Sequence, residues 1–394
     1  MKQYLAGSLI ALLLMAAGVA LFNYWVDPYA IYRYESADTD RISRLNQTFN
    51  MRMSKPWQVA QVNPSSLVIG SSRAGTVPPS HELWAGEESY NLSMPGLTLY
   101  EMLRLIQHVN ANGELARLAI GLEYETFITG EPRVGLGFEE GRLDGAEPEI
   151  SVWKSSLQLV RDLRDTLLTG YAIVRSFKAL SGTETTIRFS PDGSWHNKPK
   201  NWPGERRYIM VGKNLVSRAK QADASLDANL ATFADVLEYC YRNGIDTRLY
   251  LSPEHLFLTD LRQHIGLDTG WQEFHRQLID LNEQVAAAGG YSPFPLWGFN
   301  QMTGIVDEPI PRGEGSADNW FKDGIHFQGR LGTIIMNQIW GQNENIGYRL
   351  DGQSVQQYID QVEALRQQFV NSQPRQVQRY REKILGGQKP RSGQ

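Results

Sequence analysis

Two short stretches place chemistry-bearing residues in an informative pattern. The first is Leu67-Val68-Ile69-Gly70-Ser71-Ser72-Arg73, where an apolar run breaks at a glycine and delivers serines. The second, far down the chain, is Lys322-Asp323-Gly324-Ile325-His326-Phe327, with an aspartate three residues before a histidine. A serine hydroxyl becomes a useful nucleophile when an imidazole takes its proton and a carboxylate orients that imidazole. Ser72, His326 and Asp323 are the residue types such a serine acyl-transfer site needs. An Asp-x-x-His turn supplies base and orienting acid from one loop. The break at Gly70 puts Ser72 at a strand end, where backbone N–H groups can hold an oxyanion. A helix is expected directly after it, adding positive N-terminal character.

These residues need a frame. Ser66 to Ile69, Tyr90-Asn91-Leu92, Leu118 to Leu122 and Arg248 to Leu251 read as short buried strands. Between them, apolar residues recur at helical spacing: Leu99, Met102, Leu103, Ile106 and Val109, then Leu226 through Tyr241, then Trp271 through Val285. Leu331, Ile334, Ile335 and Ile339 give a helix after His326. Strands alternating with helices predict an α/β fold with a largely parallel sheet, whose sites gather at the carboxyl ends of the strands.

Residues 125–220 interrupt this rhythm with Gly, Pro and charge, including Gly130-Glu131-Pro132 and Pro191-Asp192-Gly193-Ser194. They read as a long insertion with helix near 152–180, suited to a lid or substrate cap. The predicted organisation is an N-terminal segment 1–26, a connector 27–62, a main domain 63–345 with the insertion, and 346–394 as a helix followed by a basic tail.

Residues Tyr4 to Val26 carry no charge and include Leu9-Ile10-Ala11-Leu12-Leu13-Leu14-Met15. At about 1.5 Å per residue they reach roughly 34 Å, enough for a bilayer core. Lys2 before and Asp27 after the segment predict a cytoplasmic N-terminus with the remaining chain outside the membrane, which in a bacterium is the periplasmic side of the inner membrane. Trp25, Tyr24 and Tyr29 suit an interfacial aromatic belt. A cleaved signal peptide, cut near Gly18-Val19-Ala20, is the alternative and exports the same domain.

A formal charge of −4 gives no reason to expect nucleic acid. Seven histidines without CxxC or HExxH spacing give none to expect a metal or another cofactor. Cys240 stands alone, so it has no intrachain disulfide partner. His255, in Ser252-Pro253-Glu254-His255, reads as a structural histidine.

Gly70-Ser71-Ser72 near the start of the domain and Asp323-Gly324-Ile325-His326 near its end resemble the first and last blocks of the SGNH (GDSL-like) hydrolase superfamily. The resemblance implies a flavodoxin-like α/β/α sandwich, with Ser72 as nucleophile, His326 as base and Asp323 as its partner. It also implies that Gly96, in Asn91-Leu92-Ser93-Met94-Pro95-Gly96, donates an oxyanion N–H. The family's third block carries an asparagine that helps hold the oxyanion; here the strand reads Gly121-Leu122-Glu123-Tyr124. An anionic Glu123 would repel an oxyanion, and losing one such donor costs about 2.7–4 kcal/mol. Arg73 is a candidate to compensate.

Asn23-Tyr24-Trp25-Val26-Asp27-Pro28-Tyr29, together with the blocks above and Ser252 to His255, is similar to the membrane-anchored SGNH-like proteins of bacterial exopolysaccharide systems. That resemblance implies O-acetylation of an exported polysaccharide alongside a multi-spanning membrane O-acyltransferase. Two other readings stay open: a carbohydrate esterase of the same fold, and an inactive scaffold that binds polysaccharide or organises a membrane assembly.

Overall fold

The computed structural model describes residues 1–32, 34, 50–129, 134–145, 152–181, 187–197, 204–219, 225–311, 318–341 and 346–386. The expected turn at Gly130-Glu131-Pro132 and the tail past 386 lie outside them. The chain divides into two compact units: Met1–Pro64 with Arg104–Glu114 and Leu136–Lys198, and Ser65–Leu103 with Leu115–Gly135 and Pro199–Gln394. Among the described residues there are eight strands: β1 (Ser66–Ile69), β2 (Ser89–Asn91), β3 (Arg117–Leu122), β4 (Ile187–Phe189), β5 (Trp195–Asn197), β6 (Asp246–Leu251), β7 (Leu296–Gly298) and β8 (Tyr348–Leu350).

The unit that begins at Ser65 is an α/β domain built on a six-stranded sheet of order β2-β1-β3-β6-β7-β8. All neighbours are parallel except β7 and β8. β1 shows no alternation because both of its faces are covered; every one of its residues is buried. The longest pairing, β3 with β6, runs from Arg117↔Asp246 to Leu122↔Leu251. The helix Leu99–Asn112 starts with a capping box: the Glu101 N–H donates to Thr98 Oγ1 and the Thr98 N–H to Glu101 Oε2.

Several elements of this unit were not read from the sequence. They include the short strands β7 and β8, the helix Leu256–His264 and the helix Gly204–Ala219. The basic stretch from Arg375 is not simply a solvated tail. It begins as a helix, Pro374–Leu385, that buries Val377, Tyr380 and Ile384. This helix lies against Gly204–Ala219, where a Cβ on Gly212 would collide with Ile384 Cδ1.

The other unit contains the 25-residue helix Lys2–Val26, long and apolar enough to cross a membrane by length and composition. It ends at Asp27, whose carboxylate accepts the N–H groups of Ile31 and Tyr32, each at 3.0 Å. The expected connector carries a helix of its own, Met51–Val62. The helical segment expected near 152–180 is two helices, Val152–Leu167 and Gly170–Leu180. Thr169 breaks them apart and caps the second, its hydroxyl accepting the Ala172 N–H. β4 and β5 form an antiparallel hairpin.

Candidate active site

β1 delivers Ser71 and Ser72 to the carboxyl edge of the sheet. Gly70 is required there by close approach: a Cβ would lie 2.9 Å from the Gly121 carbonyl oxygen of β3. The chain then makes one short 3-10 turn, Ala74–Thr76, instead of the expected helix. Val77-Pro78-Pro79 explains the stop, since proline supplies no N–H for continuation. Ser72 therefore gains no helix-terminus field.

The other half of the site comes from the loop before the helix Gly329–Ile339. Gly324 adopts φ +94°, and the turn folds Asp323 back onto its own loop. Asp323 Oδ1 accepts the backbone N–H groups of Ile325 and His326, and Oδ2 meets His326 Nδ1 at 2.8 Å. With Nδ1–H donating to Asp323, Nε2 carries the lone pair, 2.9 Å from Ser72 Oγ. Burial opposes the charge on Asp323, but His326 and these N–H donors together hold its carboxyl below the ordinary range. The structure thus brings Ser72, His326 and Asp323 into one hydrogen-bonded chain.

That chain opens into a cavity of about 220 Å³. Gly96, at φ +61°, forms part of its lining after β2. Helix Gly204–Ala219 adds Met210, Val211, Asn214, Leu215 and Arg218. These wall residues were missed because their helix sits within a polar insertion; the spacing of Tyr208, Val211 and Leu215 was the available signal.

Glu123, at the end of β3, also lines the cavity. Its Oε1 accepts from Ser71 Oγ at 2.9 Å and Ser252 Oγ at 3.1 Å, and its Oε2 accepts from Thr126 Oγ1 at 3.1 Å. Burial raises its pKa, and Arg73 with the serine hydroxyls only partly offsets this.

Arg73 is buried and held by acids. Its Nη2 lies 2.8 Å from Glu125 and its Nη1 3.6 Å from Glu254. Arg262 bridges the same two acids, at 2.8 Å to Glu125 and 2.7 Å to Glu254. Burial works against the charge on Glu125, but the two guanidinium groups bring its pKa down to about 2. Of this two-arginine, two-glutamate cluster, Arg73 and Glu125 line the cavity. Glu125 and Arg262 were not singled out from the sequence, and Glu254 was quoted within Ser252-Pro253-Glu254-His255 without a role of its own.

His255 is structural. Its Nε2 meets the Glu308 carbonyl oxygen at 2.6 Å, and its Nδ1 accepts the Phe257 N–H, capping the helix Leu256–His264. Burial lowers its pKa to about 4, so it is neutral at physiological pH. Among the described residues no group of three His, Cys, Asp or Glu is arranged to hold a metal ion.

The arrangement can activate a hydroxyl nucleophile beside an apolar-walled cavity that also holds the buried Glu123 carboxylate. No protein-family model matches this chain, and no curated protein matches it.

Proposed function

We propose that this chain is a membrane-anchored serine acyl-transfer enzyme of SGNH type, acting on carbohydrate in the periplasm. The observation that carries the reading is the continuous Ser72–His326–Asp323 hydrogen-bond chain at the mouth of a cavity. The strand order β2-β1-β3-β6-β7 matches the flavodoxin-like 2-1-3-4-5 winding, which supports that sandwich as the frame.

Ser72 Oγ attacks the carbonyl carbon of an acyl donor while His326 Nε2 takes the hydroxyl proton. The donor's leaving group departs with that proton, leaving an acyl-Ser72 ester. A sugar hydroxyl then gives its proton to His326 and attacks the ester carbon; the Ser72 Oγ–acyl bond breaks and His326 returns that proton to Ser72 Oγ. Gly96 is the proposed oxyanion donor, while Arg73, in the same lining, has its guanidinium engaged by Glu125 and Glu254.

Met210, Val211, Leu215 and Leu258 give the cavity an apolar side. Such a wall limits water at the acyl-enzyme and favours transfer over hydrolysis. O-acetylation of an exported polysaccharide, with the acyl group brought across by a multi-spanning membrane acyltransferase, is the pathway that suits this site and the anchor. Glu123 favours the rival reading of an inactive scaffold, because an anion there opposes the oxyanion.

Ser72→Ala should fold normally and lose acyl release from a chromogenic acetyl ester. Unchanged turnover would overturn the assignment. Acetyl transfer to added polysaccharide, measured against release to water, separates transferase from esterase.

A further inference from the structure

The helices Val152–Leu167 and Gly170–Leu180 are amphipathic the wrong way round for water. Gln158, Asp162 and Thr166, at i, i+4 and i+8, lie on the buried face. Asp162 receives Arg142 at 2.7 Å and Trp57 Nε1 at 3.1 Å, and Thr166 meets the Tyr32 hydroxyl at 2.5 Å. The outward face carries Trp153 (81% exposed), Leu157, Val160 (63%) and Leu163. The second helix repeats this: Ala172 and Ser176 face inward, while Val174 and Phe177 (61%) face outward. A helix pair in water turns its apolar stripe toward the core. This pair spends its polar stripe there, so its apolar face is built for apolar surroundings.

Its position within the same unit says what those surroundings are. Asn23, near the carboxyl end of Lys2–Val26, donates to the Leu167 carbonyl at 2.8 Å and accepts from Ser176 Oγ at 2.8 Å. The Phe22 and Phe177 rings lie 5.2 Å apart, so the helix pair's apolar face runs on into that of the long helix. Trp25 is exposed at the same end. Residues 152–181 carry Lys154, Arg161, Arg164, Arg175 and Lys178 against two acids, one of them the buried Asp162.

We infer that the helix pair lies in the membrane interface, its Trp153–Val160–Phe177 face among the acyl chains and its basic residues at anionic headgroups. This rests on the reading of Lys2–Val26 as a membrane anchor. The anchor then meets the bilayer over a broad amphipathic foot, and Asn23 ties helix pair and anchor together.

The test uses the full chain in vesicles of phosphatidylcholine and phosphatidylglycerol. Cys240 is fully buried, so a thiol-reactive fluorophore goes to an introduced cysteine. Labels on Val160→Cys and Phe177→Cys should be quenched several-fold by phosphatidylcholine spin-labelled near the headgroup. A label on Leu13→Cys should be quenched by phosphatidylcholine spin-labelled deep in the chain. Quenching at 13 with none at 160 and 177 overturns the inference and leaves the anchor standing, as when another protein or a second copy covers the face. No quenching at any of the three overturns the anchor reading and this inference with it.

Discussion

Ser71 and Glu123 are joined at 2.9 Å between the ends of β1 and β3, while the adjacent Ser72 meets His326 at 2.9 Å. Two neighbouring hydroxyls thus have separate partners. The Ser71 hydroxyl also accepts the Arg73 N–H, so Ser71→Ala should cost about 1–2 kcal/mol of stability for two hydrogen bonds and lower ester turnover only modestly. Ser72→Ala should remove turnover and spare stability. A matched pair of urea melts and ester assays would check this, and equal effects of the two changes would refute the division.

Asp323→Asn should cut turnover by roughly 10⁴-fold while the fold survives, because the amide no longer holds the tautomer with Nε2 free. The sign of its effect on stability follows from its depressed pKa. Charged Asp323 stabilises the fold above the ordinary aspartate value of about 3.9, and that contribution fades as pH falls through its lower folded value. Melting curves of wild type and variant should therefore converge in strong acid and separate toward neutrality.

Glu123→Gln exchanges a buried acid for a neutral amide that can donate. A carboxyl with a raised folded pKa favours the fold below its unfolded value and loses that advantage as pH rises through the folded one. The variant should thus gain melting temperature over wild type at pH 8 more than at pH 4. If the Glu123 charge restrains the chemistry, turnover should also rise, by about tenfold or more given what one oxyanion donor contributes. A fall in turnover would show that the carboxylate has a positive role.

Gly324→Ala tests the turn that couples base to acid. At φ +94° a side chain is strained, and its Cβ would sit 3.1 Å from Tyr208. Stability should fall by about 1–3 kcal/mol, as for other forced backbone conformations. Ester turnover should fall more steeply than stability, since the Asp323–His326 geometry is set there.

Arg262→Met should cost about 3–5 kcal/mol in urea unfolding, because Glu254 and Glu125 would lose a buried partner. Replacing Arg262 and Glu254 together should cost less than the sum of the single changes, which a double-mutant cycle would read directly.

Much of the α/β frame was legible because β1, β3 and β6 each end in an apolar run, Leu67–Ile69, Leu118–Leu122 and Leu249–Leu251, and their helices keep a clear period. The meeting of Ser72 with His326 was readable for the same reason: alternating strands and helices bring both loops to one edge of the sheet. The surroundings of Arg73 were not, since its partners come from separate loops and a helix, and no local spacing announces a buried ion cluster. β8 has only three residues, too few for a pattern. The helices Val152–Leu167 and Gly170–Leu180 were visible as helix. Which side they bury depends on Asn23, Trp57 and Arg142, which are distant in sequence.

The packing of Pro374–Leu385 on Gly204–Ala219 has a consequence for the order of assembly. Ser72 and His326 stand 254 residues apart, and the helix that backs the cavity wall follows both. A growing chain therefore holds the serine before its imidazole partner, and the pair before the backing of the wall. Deleting residues 374–385 should loosen that wall while leaving the Ser72–His326 pair intact.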